Sequence, residues 1–274
     1  MADKKRILVV TQEFNPFTET LSKIAEIAHA YSQYMQDNGM EVRILMPRFG
    51  SINERRHRLH EVVRLSGMNI TVDDEDYPLI IKVASLPGTR MQIYFLDNDD
   101  FFKRKKMFSD NDGKPYEDNV DRMIFFCKGV IETVKKFGWA PDLVHCHGWM
   151  TSLIPAYLKN HFKNEPIFQN SRFIYSVYPD AVNTEQVSES VFTSKTTSNQ
   201  FSEEAIEPYR NQGAVDLHCG AAYYSDGIIV DKNEVKWTHE SIPQISPKAD
   251  IQDKDWSDYI MFFNNLLLQA EQSA

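Results

Sequence analysis

Short unbroken apolar runs alternate along this chain with longer segments whose apolar residues recur every three or four positions. Residues 6–11 (Arg-Ile-Leu-Val-Val-Thr) are one such run, the pattern of a parallel strand buried on both faces. A loop with Pro16 follows, and then Leu21, Ile24, Ala28, Tyr31 and Met35 predict a helix over 20–38, with Gly39 suited to its C-terminal cap. Residues 41–46 read as the next strand, ending at Pro47. A strand–helix–strand unit of about forty residues has the length of a right-handed βαβ crossover.

The middle of the chain changes rhythm. Residues 61–65, 68–72, 79–85 and 91–96 read as short strands separated by Gly, Pro and Asp turns. They are expected to form an antiparallel excursion within a mostly parallel sheet. Residues 97–119 read as a long polar loop, of the kind that is often functional or mobile. A helix over 120–137 turns Met123, Ile124, Cys127, Ile131 and Val134 inward. A strand at 142–146, a helix at 151–162 and a buried strand at 172–178 follow. Residues 179–207 are dense in Ser, Thr, Glu and Asn and are expected to be an exposed loop. A helix over 213–225 with Val215, Cys219 and Ala222 inside, a strand at 226–230 and a linker at 242–253 lead to a last amphipathic helix. Its stripe is Trp256, Tyr259, Ile260, Phe263, Leu266 and Leu267. The predicted fold class is α/β.

Composition narrows the function. A chain of 274 residues is long enough for one large domain or two small ones. The net charge of −9 argues against a nucleic-acid or anionic-membrane partner. The basic run at residues 103–106 reads as a solvated turn. Cys127, Cys146 and Cys219 are scattered, form no CxxC pair and fit a reducing cytoplasm. The N-terminus lacks the apolar core of a signal peptide, and no segment reaches membrane-spanning length.

Candidate chemistry concentrates in residues 141–158, where the strand Asp-Leu-Val-His-Cys runs into His147-Gly148-Trp149-Met150 and then a helix. His145 and His147 are two apart on the strand, so their side chains point the same way. Ligands in open α/β sheets collect beyond the carboxyl ends of strands, which makes this turn a candidate ligand cleft. Cys146 should point to the opposite face and no further ligand cluster is evident. No metal is therefore expected, and the histidines read as hydrogen-bonding groups at the strand end.

Six segments in register over residues 6–235 resemble the glycogen and bacterial starch synthases. They are Glu13-Phe14-Asn15-Pro16-Phe17, Val42 through Phe49, Tyr94-Phe95-Leu96-Asp97-Asn98, and Asp112 through Asn119 with Arg122, Phe125 and Phe126. The other two are Pro141 through Leu158 and Gly220-Ala221-Ala222-Tyr223-Tyr224-Ser225-Asp226. The resemblance implies one lobe of a two-lobed, GT-B type glycosyltransferase, each lobe Rossmann-like. It implies transfer of glucose from ADP-glucose to an α-1,4-glucan with retention of configuration, using no metal and no cofactor. Residues 1–240 would be the N-terminal lobe, which mainly receives the glucan. Residues 241–274 would be a linker and a helix that packs back on that lobe, completing a chain whose second lobe, if any, comes from a separate protein partner. By resemblance, a glucan or nucleotide sugar would meet Glu13, Tyr116, Asp118, Asn119, His145, His147 and Trp149.

Departures from the family pattern fall at the donor positions. The family's lysine and Gly-Gly-Leu turn suit a diphosphate because bare backbone N–H groups can approach it. Here Glu19-Thr20-Leu21-Ser22-Lys23 stands instead. The family's His-x-His-Asp-Trp-His becomes His145-Cys146-His147-Gly148-Trp149-Met150, and methionine cannot hydrogen-bond as histidine does. Ser176-Val177-Tyr178 replaces a strand ending in His-Asn, and Phe108 falls near a family tyrosine. Asp118, Asn119 and Arg122 remain, with helix capping and local pairing as their alternative role. Two readings stay open: a glucosyltransferase lobe, or a non-catalytic module binding a glucan, a nucleotide sugar or a protein.

Overall fold

The computed structural model describes residues 4–18, 22–178, 187–211, 213–230, 248–250 and 256–273. β1 (Arg6–Thr11) and β2 (Glu41–Pro47) flank α1 (Lys23–Asp37). α1 starts later than its periodicity suggests because Ser22 caps it, accepting from Ala25 N at 3.3 Å. Glu19, Thr20 and Leu21 of the expected donor loop lie outside the described residues. A short helix that the pattern does not signal, α2 (Glu54–His57), follows β2 and stops at Arg58, which adopts a left-handed φ of 54°.

The antiparallel excursion consists of β3 (His60–Glu61), β4 (Met68–Val72) and β5 (Glu75–Ser85), and β6 (Gln92–Asp97) brings the chain back. β5 pairs antiparallel with β3, β4 and β6, while β6 lies parallel to β2. β3 is shorter than expected because Val62 turns the chain: its carbonyl accepts from Leu65 N at 2.8 Å and Ser66 N at 3.1 Å. The expected loop at 97–119 contains α3 (Asp99–Phe102), capped by Asn98 and anchored by buried Phe101 and Phe102. Then come α4 (Asn119–Phe137), β7 (Leu143–His147), a 3₁₀ turn at Trp149–Thr151, α5 (Leu153–Lys159) and β8 (Arg172–Val177).

Residues 179–186 lie outside the described residues, but the rest of the supposed polar loop holds α6 (Glu189–Ser198) and α7 (Glu203–Ile206). Periodicity misses α6 because only Phe192 and Thr196 are buried along it. A small ribbon, β9 (Arg210–Asn211) with β10 (Ala214–Val215), leads to α8 (Leu217–Tyr224), capped by Asp216, and to β11 (Gly227–Val230). The supposed linker contains β12 (Lys248–Asp250), parallel to β11, and the rest of 242–253 lies outside the described residues. α9 (Trp256–Ser273) closes the chain.

The sheet order is β12-β11-β8-β7-β1-β2-β6-β5-β3, with β4 paired to β5 off this path. The chain leaves β1 first toward β2 and later returns to β7 on its other side, so β1 and β7 bound a topological switch point. Alternation along β7 assigns the two faces. His145 meets Tyr31 of α1 and Phe263 of α9, at centroid distances of 4.8 and 5.9 Å. Cys146 faces Cys127 of α4, and each is completely buried. α9 lies against α1 through Tyr31, which touches Trp256, Tyr259 and Phe263. Gly227 admits this helix closely: a Cβ there would stand 2.7 Å from Phe262 and 2.9 Å from Leu266. No helix among the described residues is long and apolar enough to cross a membrane.

Candidate functional site

At the carboxyl edge of β7 the chain turns through Gly148, which holds a φ of 85°. A side chain there would be strained by that φ and would also land on the carboxamide of Gln12. Gln12 follows β1 and is itself buried. Its Oε1 accepts from Met150 N at 3.2 Å and its Nε2 donates to Glu13 Oε1 at 3.2 Å. The exits of β1 and β7 are thus locked together by one glutamine. Met150 is fully buried, and its carbonyl accepts from Cys127 Sγ at 3.2 Å.

From this turn the candidate residues divide. Trp149 faces the α4 side, where a cleft of about 430 Å³ opens beyond the strands. Tyr116 and Asn119, the start of α4 (Val120, Met123) and Leu217 of α8 line it together with Trp149. Val187, Ser188, Val191 and Phe192 form the opposite wall, and Lys114, Pro115 and Glu117 the rim. The wall is largely apolar, as ligand clefts generally are. Sequence reasoning missed Val187, Val191 and Phe192, since the segment they belong to reads as a solvated loop. The only signal was that large apolar residues, Val187, Val191 and Phe192 among them, interrupt so polar a stretch.

The polar groups beside the cleft are held from behind. Arg104 grips Asp118 with two 2.6 Å bonds and lies 4.4 Å from the centre of the Tyr116 ring. Arg122 is completely buried. It donates to Asn119 Oδ1 and to Phe101 O, both at 2.7 Å, and lies 5.3 Å from the Tyr116 ring centre. Burial pulls its pKa down to about 10, so it stays a cation. Asn119 Nδ2 donates to Phe108 O at 2.9 Å, and the Phe108 ring packs edge-on against Trp149 at 5.2 Å. Asp118 makes no capping bond of its own to α4; its carboxylate belongs to Arg104.

His145 and His147 lie on the other face, with no exposed surface. His145 Nε2 hydrogen bonds Ser176 Oγ and His147 Nδ1 hydrogen bonds Tyr178 Oη, each at 2.7 Å. Their rings stand 3.9 Å apart beneath Tyr31 and α9. Burial pushes His147 down to about 3, and burial with the neighbouring His147 pushes His145 well below the usual histidine range. Both are therefore neutral near pH 7. The remaining nitrogens, His145 Nδ1 and His147 Nε2, and Tyr31 Oη have no hydrogen-bond partner among the described residues. Glu13 is also buried and bonded to Gln12, outside the cleft lining. Among the described residues no group of three or more His, Cys, Asp or Glu is placed to hold a metal ion.

Residues 6–236 match the family of the starch synthase catalytic domain. The glycogen synthase of Chlorobium limicola is 37% identical over 174 residues, which are 63% of this chain and 35% of that protein. The glycogen synthase of Chlorobium phaeovibrioides is 35% identical over 184 residues, or 65% of this chain and 37% of its own. The chain thus spans about a third of the length of the curated relatives it matches. Among solved structures, the catalytic domain of starch synthase IV from Arabidopsis thaliana, bound to ADP and acarbose, superposes with a TM-score of 0.67. It covers 83% of this chain and 45% of its own, and at 16% identity it speaks for the fold.

Proposed function

The chain belongs to the starch synthase catalytic domain family, and from that premise we propose that it is a glucan-binding lobe of a cytoplasmic glycogen-synthase-like protein whose own donor chemistry has lapsed. The observation that carries this reading is the state of the β7 exit. Where the family pattern places a histidine beside the transferred sugar, Met150 is fully buried and its N–H is taken by Gln12. Where the pattern places an aspartate, Gly148 leaves its side-chain volume to the same glutamine. Retaining glycosyl transfer needs preorganised polar groups around an oxocarbenium-like centre and a departing diphosphate. Neither neutral buried histidine supplies one, because both face α1 and α9.

The cleft supports the binding half of the proposal. Tyr116 and Trp149 present aromatic surface to it, and Asn119 lines it as well, fixed by Arg122. Apolar aromatic walls with a few fixed polar groups suit the alternating CH faces and hydroxyls of a glucan. They do not suit a diphosphate. Calorimetry with maltoheptaose and with ADP-glucose tests this, the first expected to bind and the second not. Incorporation of labelled glucose from ADP-glucose into glycogen by the pure chain, above a heat-killed control, would overturn the non-catalytic reading and support a transferase instead.

A further inference from the structure

We propose that helix α6 is a gate over the cleft and that the buried ammonium of Lys128 opposes its closing. The proposal rests on the reading of the cleft as a binding site only for the word gate. α6 supplies Val191 and Phe192 to the cleft wall, and Val187 and Ser188 lead into it. A wall built this way is unusual in how little apolar surface holds it. Only Phe192 and Thr196 of its ten residues are buried. Elements with few buried apolar contacts occupy the low end of local stability.

What holds α6 is mostly polar. Arg210 of β9 bridges Glu189 at its amino end at 3.3 Å and donates to Thr193 Oγ1 at 3.2 Å. Phe192 packs 5.5 Å from the Tyr209 ring, and the remaining contacts gather at the carboxyl end of the helix. Lys195 bridges Asp73, in the β4–β5 turn, at 2.7 Å and Asp121 of α4 at 3.1 Å. Asn199, the residue after α6, accepts from Asp73 N at 3.1 Å and donates to Asp73 Oδ1 at 3.0 Å. The Asn199 carbonyl accepts from Tyr157 Oη at 3.1 Å. Beneath these contacts Lys128 of α4, only 7% exposed, donates to Asn199 Oδ1 at 3.0 Å and to Thr71 O at 2.8 Å. Both acceptors are neutral. The carboxylate that faces Lys128, Asp73, bonds Lys195 and Asn199 instead. His161, beyond α5, also faces it.

A buried ammonium without a bonded carboxylate is costly, and water reaches it when Asn199 leaves with α6. Burial, opposed in part by the Asp73 charge, lowers Lys128 from 10.5 to about 8. An open α6 returns it toward the ordinary value. Between those two values the open form binds more protons, so raising the pH favours closure. Below about 8 both forms carry the charge, and its burial works in full against closing. The gate therefore tightens in alkali and stands looser near neutral pH.

Hydrogen exchange of the full chain tests this without any ligand, so its outcome is independent of whether the cleft binds a glucan. Relative to intrinsic rates, protection of residues 190–198 is expected to rise roughly tenfold between about pH 7 and about pH 10 while that of α4 stays level. Lys128→Met is expected to raise α6 protection near neutral pH and remove its slope. The same slope in the variant, or parallel changes in α4 and α6, would overturn the proposal. Acrylamide quenching of Trp149, isolated by difference from Trp149→Phe, gives a second readout on the unaltered Lys128. It should fall as pH rises, and a flat series would overturn the gate even if Lys128→Met does not fold.

Discussion

The two faces of one turn tell different stories. From β7 into its exit, His145 and His147 point under α1 and α9, while Cys146 and Trp149 point toward α4. The histidine face is closed: aromatic rings cover it and three polar atoms go without partners among the described residues. On the tryptophan face there is open volume, and the polar side chains bordering it are tied back by Arg104 and Arg122. Residues best suited to chemistry by type thus occupy the side with no room for a ligand. The covering helix, rather than the side-chain inventory, decides which face of a strand end becomes a site.

The strongest way to break this contrast is acid. His147 has a folded pKa of about 3 against an ordinary 6.5, so between those values the unfolded chain binds more protons. Stability should then rise with pH across that window and be lost as pH falls through it, by on the order of 4–5 kcal/mol at its lower end for this residue alone. His145 moves in the same direction. Urea unfolding at descending pH, compared with His147→Gln, should show a shallower acid loss in the variant. Parallel profiles would mean that the histidine face is wetter than its packing indicates. Next in size, Phe263→Ala opens the same face from above. Phe263 is 1% exposed and touches both Tyr31 and His145. A loss of about 3–4 kcal/mol is expected from denaturant melts, with cleft binding retained.

Much of this was legible from the order of residues, and the failures are physical. β1 announces itself because it is an apolar run covered on both faces, and α4 because its buried face is broad. The same-side placement of His145 and His147 follows from strand alternation alone. Which side they share does not, since α9 and α1 reach that face from over a hundred residues away in opposite directions. α6 is invisible to periodicity because charges and an asparagine cap hold it rather than a stripe. Gln12 carries no motif. Its role exists only once β1 and β7 are adjacent, with Thr11 in register with His147.

Gly148→Asp probes that adjacency. The new side chain would need both a left-handed φ and the space of the Gln12 carboxamide. A cost of roughly 2 kcal/mol is expected from backbone strain and displaced hydrogen bonds. Gln12→Ala in the same chain should return part of it, because it vacates the volume and leaves only the strain. Additive effects in thermal melts would show that the two residues do not compete for one space.

The smallest effect on folding should be the most telling for the cleft. Tyr116 is only partly buried, and its hydroxyl donates to Lys106 O at a long 3.3 Å. Replacing it with alanine removes the ring beneath Arg104 but leaves the Arg104–Asp118 pair intact, for a stability change of about 1 kcal/mol or less. If the ring is a platform for a sugar, maltoheptaose affinity should nonetheless fall by roughly tenfold, the equivalent of about 1.4 kcal/mol. Tyr116→Phe should keep most of it, since the face is retained and only the hydroxyl is lost. Calorimetry on the three proteins separates the cases. Affinity that follows the hydroxyl would move the contact to the rim, and affinity indifferent to both changes would take the glucan out of this cleft altogether.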